Sequence, residues 1–433
     1  MIGINDLIIA QEHYYEMDGY KTKVNNNVLV VGTSGSGKTR HIVGPNIEQA
    51  VGSYVISDPK GNLYRKYKDY LEARGYEVKK LDFVNPSTSV KYNPVEYIRK
   101  EHDILKLGKI LTSIGGGGYK MDPFWNQSAE LLFTACIAFL KEGVCEEDKN
   151  LTSLQKLIVN CEIDEDDSSQ KNVLDRIMLE HSEMNPDSFA VKQYNKFRLA
   201  SGRTLKSILI SAMAKIGALD TDEVAKMIKV DEVDIASIGQ KKTAVFVIVS
   251  DTDRSMDILA NIFFTQAMQV LCRYADEECT YNENRLPIDV RFILDDFATN
   301  VLIEEFPRMI SSIRSRGIST MLLIQSEGQL RNYYGEDNKT IIGNCDTYVY
   351  LGGNDIDSAQ EVARRCDIPL RKILNMEIGY CWIFRRGEVP QYAKLLDLEE
   401  YQKGKLREAS MVGDKLPLFK YKFENVSNKQ IQK

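Results

Sequence analysis

Several features that mark common protein classes are missing from this 433-residue sequence. Its eight cysteines never form C-x-x-C and its four histidines are scattered, which disfavours a zinc site and favours reduced thiols. No apolar run approaches the roughly 18 residues of a membrane span, so we expect residues 131–140 to form a buried helix. The first residues lack the basic and apolar segments of a signal peptide.

An excess of positive charge is also missing, because 56 Lys and Arg residues stand against 62 Asp and Glu and the net charge is −6. Any contact with nucleic acid must therefore use a local basic surface, such as the lining of a pore. Hydrophobic residues make up 43% and charged residues 27%, which is ordinary for a globular protein. At this length we expect one large core with an insertion or a second module.

One stretch carries a complete motif. Residues 25–40 read NNNVLVVGTSGSGKTR, in which residues 28–31 predict a buried strand. The motif G-x-x-x-x-G-K-[ST] is then matched by Gly32, Thr33, Ser34, Gly35, Ser36, Gly37, Lys38 and Thr39. In such a loop, backbone N–H groups surround phosphates, Lys38 can reach the β- and γ-phosphates, and Thr39 can ligate Mg²⁺. A chance glycine-rich turn is the alternative, but the flanking strand and helix favour a nucleoside triphosphate site.

The chain around this motif alternates between strands and helices. Residues 1–24 predict a lead-in strand or arm, and a helix to about residue 49 follows the motif. A second helix, with Leu63, Tyr67 and Leu71 in register, comes after a strand at residues 54–57. Further strands are predicted at residues 54–57, 77–81, 244–249, 291–294, 320–324, 348–351 and 380–384, with helices at 259–274 and 305–315. This rhythm predicts an α/β fold with a mostly parallel sheet.

A long helical region interrupts the alternation from about residue 102 to 215. We therefore predict a discontinuous nucleotide-binding core of residues 1–100 and 205–404, with an all-α insertion at 101–204. The four-glycine run 115–118 and the acidic run 162–167 are expected to be exposed linkers. Residues 405–433 are polar and lysine-rich, and they predict a loosely held tail.

Two carboxylates, Asp295 and Asp296, follow the strand at residues 291–294. Phosphate-loop enzymes carry a metal-associated acid at such a strand end. Asp295 would hold Mg²⁺ directly or through water, and Asp296 would orient or deprotonate the attacking water. A second acid favours hydrolysis over phosphoryl transfer to an acceptor.

Other polar residues near the next strand extend the predicted site. Gln325 ends that strand, where it could bind the γ-phosphate or the lytic water or simply cap the strand. Arg314 and Arg316 precede the strand, and either could stabilise transition-state charge across a subunit boundary. Surface solvation is the alternative for both arginines.

Together these segments resemble the coupling-protein ATPases of conjugative type IV secretion systems. The matching stretches run in order from about residue 25 to about 390: NNNVLVVGTSGSGKT, SYVISDPKGNLY, DPFW, RTLKSILIS, KKTAVFVIVSDTD, RFILDDFA, SIRSRGIST, LLIQS and IIGNCDTYVYLGG. The resemblance implies a RecA-like domain that binds ATP and Mg²⁺, with an inserted all-α domain. It also implies a homo-hexameric ring with ATP sites between subunits, a monomer in isolation being the alternative.

The resemblance further implies partners and roles. The partners are relaxase-linked single-stranded DNA, relaxase and relaxosome proteins, and secretion-channel components, with a cytoplasmic location at the inner membrane. By position, the phosphate and magnesium contacts are Lys38 and Thr39, the magnesium-side acid is Asp295, the catalytic acid is Asp296, the sensor is Gln325 and the trans arginine is Arg314.

Two departures from the family pattern bear on these implications. Asp296 stands where the family usually has Glu, which brings the turnover rate into question. The usual N-terminal membrane anchor is absent, so we expect a soluble part or an anchorless variant that reaches the membrane through a partner. For DNA contact, the candidates are Lys241, Lys242, Arg364, Arg365, Phe124 and Trp125, each of which also fits an ordinary surface or core role.

Two other functions remain as alternatives. One is a nucleotide-gated docking ring for secreted proteins, with little ATP turnover. The other, a small-molecule kinase, is disfavoured by the second acid and by the absence of an evident lid.

Overall fold

The computed structural model describes residues 5–113, 123–161, 171–200 and 202–403. Strands in these ranges are β1 (Asp6–Ala10), β2 (His13–Glu16), β3 (Val28–Val31), β4 (Ser53–Asp58), β5 (Glu77–Asp82), β6 (Thr243–Ile248), β7 (Val290–Leu294), β8 (Ile318–Ile324), β9 (Thr347–Tyr350), β10 (Tyr380–Arg385) and β11 (Gln391–Lys394).

Helices surround these strands. They are α1 (Gly19–Thr22), α2 (Gly44–Glu48), α3 (Asn62–Glu72), α4 (Glu101–Ser113), α5 (Pro123–Glu142), α6 (Leu151–Val159), α7 (Val173–Met184), α8 (Phe189–Phe197), α9 (Gly202–Ile216), α10 (Asp222–Met227), α11 (Asp257–Glu278), α12 (Phe306–Ile310), α13 (Glu327–Tyr334), α14 (Asn338–Gly343), α15 (Ile356–Cys366) and α16 (Leu370–Leu374). A π-helical segment, Lys38–Val43, leads into α2. None of the helices in the described ranges has the length and apolarity that crossing a membrane requires.

The central sheet has the order β11-β10-β9-β3-β8-β7-β4-β6-β5. The strands from β9 to β5 pair in parallel, and β10 and β11 extend the sheet as an antiparallel edge. Val28 and Val30 face one apolar cluster while Leu29 and Val31 face another, so both faces of β3 are covered. The predicted α/β fold with a mostly parallel sheet is therefore confirmed.

The observed strand bounds differ from the predicted ones by two residues at most. The sequence-based prediction missed β11, and the lead-in segment forms the β1–β2 hairpin. The helix predicted at residues 305–315 is interrupted, since α12 ends at Ile310 and a separate 3-10 turn covers Ile313–Arg316. Gly317 ends that turn in the left-handed conformation.

The described residues between β5 and β6 form helices and no strand. Their buried side chains, such as Leu107 and Phe133, belong to the same apolar cluster as Val245 and Phe292 of the sheet. The helical region therefore shares one apolar cluster with the sheet, and its bounds as an insertion domain stay a prediction. The predicted linkers 115–118 and 162–167 and the tail 405–433 lie outside the described residues.

Candidate active site at the carboxyl edge of the sheet

The phosphate-loop motif lies at the carboxyl end of β3, as predicted. Gly37 has φ +88°, and a Cβ atom there would lie 2.4 Å from the His41 ring. Glycine therefore lets the loop turn tightly into the following helix. The Ser36 hydroxyl is buried and has no hydrogen-bond partner among the described residues, which leaves a polar group in the loop for a ligand.

Lys38 folds back over this loop. Its Nζ donates to the Gly32 carbonyl at 2.6 Å and to the Thr33 carbonyl at 3.2 Å, and the side chain is buried. Burial lowers the pKa of the Lys38 ammonium, while the charges of Asp295 and Asp296 oppose that shift. The ammonium is thus held over the concave side of the loop by carbonyl oxygens, which a more strongly charged phosphate oxygen can replace.

Asp295 joins the two halves of the predicted site. Its Oδ2 accepts from Thr39 Oγ1 at 2.9 Å, and its Oδ1 accepts from the backbone N–H of Asp296 at 3.1 Å. Burial raises the pKa of Asp295 and the charge of Asp296 adds to the rise, while Thr39 and Lys38 oppose it. A hydroxyl and a carboxylate at hydrogen-bond distance form the type of oxygen cluster that Mg²⁺ uses beside phosphates.

Asp296 occupies a tight turn after β7. Its φ is +52°, and its carbonyl accepts from the backbone N–H groups of Thr299 and Asn300, both at 3.1 Å. A non-glycine residue in this conformation is uncommon and indicates that the surrounding structure fixes the backbone. The turn brings Asp296 to the wall of the cavity that faces the phosphate loop.

Gln325 lies on the same cavity, directly after β8. Its backbone N–H donates to Gln329 Oε1 at 2.8 Å, which connects the strand end to α13. The cavity has a volume of about 560 Å³. The structure thus brings together Lys38, Thr39, Asp295, Asp296 and Gln325, as the sequence predicts.

Three further residues on this cavity were missed by the site prediction: Asp58, Lys60 and Asp251. Asp58 is buried and accepts from the Tyr64 backbone N–H at 2.8 Å, and burial raises its pKa. Lys60 Nζ lies 3.2 Å from Asp251 Oδ2 at the cavity mouth. The available signal was that Asp58 and Asp251 come at or just after strands that neighbour one another in the sheet, and parallel strands end at one edge.

The two candidate trans arginines lie elsewhere. They precede β8, whose seven residues span about 20 Å, so they lie near the opposite edge of the sheet from their own phosphate loop. Arg316 makes two 2.8 Å bonds to Asp276, whereas Arg314 Nη2 donates to the Gly19 carbonyl at 2.6 Å. Neither can reach the nucleotide site of its own chain, and a role for Arg314 in a neighbouring subunit stays a prediction.

Most of the candidate DNA contacts have partners within the chain. Lys241 pairs with Glu77 at 2.6 Å, Arg365 pairs with Glu361 at 3.1 Å, and the Lys242 ammonium lies 5.5 Å from the centre of the Tyr76 ring. Phe124 and Trp125 contact each other edge to face, with ring centres 5.2 Å apart. Their use in DNA binding stays a prediction.

Comparison with known proteins assigns the family. The family model for type IV secretory system conjugative DNA transfer matches residues 4–367. The chain belongs to this family. It is similar to the type IV secretion system-coupling protein VirD4 of Bartonella henselae, with 21% identity over 79% of this chain and 53% of VirD4. It is also similar to the conjugal transfer protein TraG of Rhizobium radiobacter, with 22% identity over 78% of this chain and 52% of TraG.

This member of the conjugative DNA transfer family spans about half the length of the curated relatives it matches. Its fold is similar to that of the bacterial conjugative coupling protein TrwB with sulphate, at a TM-score of 0.64, 14% identity and coverage of 86% of this chain and 85% of that chain. A TrwB complex with ADP and Mg²⁺ gives a TM-score of 0.60 at 16% identity, over the same shares of the two chains. Both likenesses support the RecA-like fold.

Proposed function

We propose that this chain is an ATP-hydrolysing coupling protein that drives relaxase-linked DNA towards a type IV secretion channel. The observation that supports hydrolysis best is the 2.9 Å bond from Thr39 Oγ1 to Asp295 Oδ2, because it joins the phosphate loop to the acidic strand end. The names of its relatives, a secretion-coupling protein and a conjugal transfer protein, support DNA transfer as the work done.

The residues of the cavity fit ATP with Mg²⁺. The buried Ser36 hydroxyl lacks a partner among the described residues, and the glycine at position 37 keeps the loop free of a Cβ atom. Loop N–H groups and Lys38 would hold the phosphates, and Thr39 and Asp295 would hold the metal ion. When bound, Mg²⁺ neutralises phosphate charge.

The remaining side chains supply the chemistry of hydrolysis. Asp296 orients a water molecule and accepts its proton at a carboxylate oxygen, and Gln325 donates a hydrogen bond to the same water or to phosphate. Arg314 reaches the site of a neighbouring subunit in a homo-hexameric ring and stabilises negative charge there. The aspartate at position 296 is one methylene shorter than glutamate, so we expect slow turnover until the subunits close around the site.

The proposal includes a location and protein partners. The ring works at the cytoplasmic face of the inner membrane, with relaxase, relaxosome proteins and channel components as partners. A second candidate is a nucleotide-gated docking ring with little turnover. Two observations favour this second candidate. The Lys38 ammonium donates to backbone carbonyls of its own loop, and the side chain at position 296 is aspartate, which is one methylene shorter than glutamate.

Steady-state ATP hydrolysis by the purified chain, with and without single-stranded DNA, tests the proposal. Lys38→Ala sets the background, and Asp296→Asn removes the base while keeping the shape of the side chain. We expect DNA to stimulate the parent protein, raised salt to remove the stimulation, and Asp296→Glu to increase turnover. If the parent protein hydrolysed ATP no faster than Lys38→Ala under every condition, the result would contradict the motor function and favour the docking ring.

A further inference from the structure

The segment between β7 and α12, residues 295–305, carries both acids of the proposed site, and we call it the acid loop. Its backbone is left-handed at Asp296, Ala298 and Glu305, with φ values of +52°, +62° and +58°. Non-glycine residues rarely adopt this conformation, so three of them in one loop indicate that the surrounding structure fixes the backbone. The side chains that hold this loop therefore decide where Asp296 lies.

The first part of the acid loop is closed by its own backbone. Two bonds to the Asp296 carbonyl, and a third from the Ala298 N–H to the Val301 carbonyl at 3.0 Å, close residues 296–301 into a compact turn. Three residues of this turn, including Asp296, line the nucleotide cavity. Because the turn is bonded internally, a shift of the residues that follow it would move Asp296 as well.

The second part of the acid loop is held by side chains from outside it. Three consecutive backbone N–H groups, at residues 302–304, donate to side chains of two helices. The Leu302 N–H donates to Asn261 Oδ1 at 2.7 Å, and the Glu304 N–H donates to Thr265 Oγ1 at 3.1 Å. Asn261 and Thr265 are four residues apart on α11, so they share one face of that helix, and both are buried. Since an unpaired buried N–H is costly, these bonds fix the path of the loop.

The remaining N–H group is held by Tyr334, the last residue of α13. The Tyr334 hydroxyl accepts from the Ile303 N–H and donates to the Ile303 carbonyl, both at 3.2 Å. Its ring stacks on that of Phe297, with centres 5.9 Å apart and an angle of 19° between the planes. The other end of α13 bonds the predicted sensor, since the Gln325 N–H donates to Gln329 Oε1. One helix therefore contacts both the sensor and the acid loop.

We propose that Asn261, Thr265 and Tyr334 are positioning residues, which hold the acid loop in the conformation that places Asp296 on the nucleotide cavity. The inference rests on the proposed hydrolysis, in which a carboxylate must lie within hydrogen-bond reach of the attacking water. The three side chains do not line that cavity, so they act through the loop and not on the nucleotide. A misplacement of about 1 Å in such a site can cost on the order of 100-fold in rate.

Substitutions that keep the shape of the side chain test the proposal in the full chain. Tyr334→Phe removes only the hydroxyl. Tyr333→Phe is the matched control, because Tyr333 is exposed and its hydroxyl lies 3.5 Å from Arg254 Nη1. We expect Tyr334→Phe to lower kcat for ATP about tenfold with KM unchanged, and the control to change neither. Equal kcat values for the two folded variants would overturn the proposal.

Thr265 offers a second pair of variants, which does not depend on the folding of Tyr334→Phe. Thr265→Val keeps the shape but removes the acceptor oxygen, whereas Thr265→Ser keeps the oxygen. We expect Thr265→Val to lose about fivefold or more in kcat, and Thr265→Ser to stay within about twofold of the parent protein. If Thr265→Ser were as slow as Thr265→Val, the loss would come from packing, and the positioning role would be wrong.

Amide hydrogen exchange separates this proposal from the proposed hydrolysis. A parent protein that hydrolysed ATP no faster than Lys38→Ala would contradict the hydrolysis by itself. Exchange at residues 297–305 needs no turnover, and it reports directly on how firmly the acid loop is held. Faster exchange there in Tyr334→Phe than in Tyr333→Phe would support the positioning role, and equal exchange would contradict it.

Discussion

The two edges of the same sheet use polar side chains in opposite ways. At the carboxyl edge, Ser36 has no described partner, Lys38 is held by carbonyls, and two adjacent carboxylates repel each other. At the amino edge, Asn27 bonds to two neighbouring segments: its Oδ1 accepts from the Thr320 backbone and hydroxyl, and its Nδ2 donates to the Asn344 carbonyl. The unpartnered Ser36 hydroxyl therefore suits a ligand at one edge, whereas the bonds of Asn27 hold neighbouring strands together at the other.

The amino edge also explains the asparagine run before the phosphate loop. The Asn25 backbone N–H donates to Asp346 Oδ2 at 2.6 Å, and its side chain donates to the Asn344 carbonyl at 3.1 Å. These bonds connect the start of β3 to the start of β9, its neighbour in the sheet.

The largest expected effect is the loss of ATP turnover when a residue of the carboxyl edge is substituted. Lys38→Ala removes the phosphate contact, and we expect a loss of about 100-fold or more in the hydrolysis rate. Lys339→Ala is the matched control, since that lysine is exposed and, within the described part of the chain, forms an ion pair only with Glu336. Steady-state kinetics of both variants measures the effect, and comparable rates for the two would contradict the assigned role of the phosphate loop.

Stability should depend most on the amino edge. Asn27→Ala leaves the Thr320 N–H and the Asn344 carbonyl without this partner, so we expect the free energy of unfolding to fall by about 2–3 kcal/mol. Asn160→Ala, at an exposed side chain that bonds one carbonyl of its own helix, should cost less than about 0.5 kcal/mol. Urea denaturation measures both values. If the folded Asn27→Ala protein bound ATP more weakly than the parent, Asn27 would also contribute to the nucleotide site, and the contrast between the two edges would be wrong.

A buried carboxyl near the carboxyl edge should make stability depend on pH. Burial raises the pKa of Asp257, at the start of α11, from 3.8 to about 7. Between these values the native state binds more protons than the unfolded state, so this residue lowers stability progressively as pH rises from about 4 to 7. We expect Asp257→Asn to flatten that part of the profile and to be more stable at pH 8 by about 1–2 kcal/mol. Denaturation midpoints between pH 4 and 8 are the measurement, and parallel profiles would contradict the prediction.

The smallest effect concerns Gly317, the glycine that ends the 3-10 turn before β8. A Cβ atom at Gly317, which has φ +76°, would lie 2.6 Å from Asp289 Oδ1, whereas one at Gly335, with φ +55°, would meet nothing within 4 Å. Both alanine variants carry the left-handed penalty of about 1 kcal/mol, and Gly317→Ala should lose about 1 kcal/mol more. Equal melting temperatures would indicate that the Asp289 carboxylate moves aside without cost.

Local patterns were sufficient for most of the fold. Most of the parallel strands are rich in buried apolar residues because both faces of the sheet are covered, and each matched its prediction closely. The strand Gln391–Lys394 was not predicted, because it is short and contains both polar and apolar residues. Its pairing with Tyr380–Arg385 is seen only in the tertiary structure. The π-helical form of Lys38–Val43 was not predicted either.

The candidate site was predictable where a motif has fixed spacing. Lys38 and Thr39 follow from eight consecutive residues, and Asp295 and Gln325 follow from the rule that parallel strands end at one edge. Asp251 was not predicted, because it comes three residues after β6 and because the neighbouring positions of β6 and β4 are known only from the sheet.

The sequence by itself determined the phosphate loop, the acidic strand end and the order of strands and helices, because each depends on residues close together in the chain. Only the tertiary structure decided which polar groups meet. The Thr39–Asp295 bond joins residues 256 positions apart, and the burial of Arg291 depends on β7, β8 and the segment before β3 together. Hydrogen bonding and desolvation act through space, so spacing along the chain does not reveal which polar groups become partners.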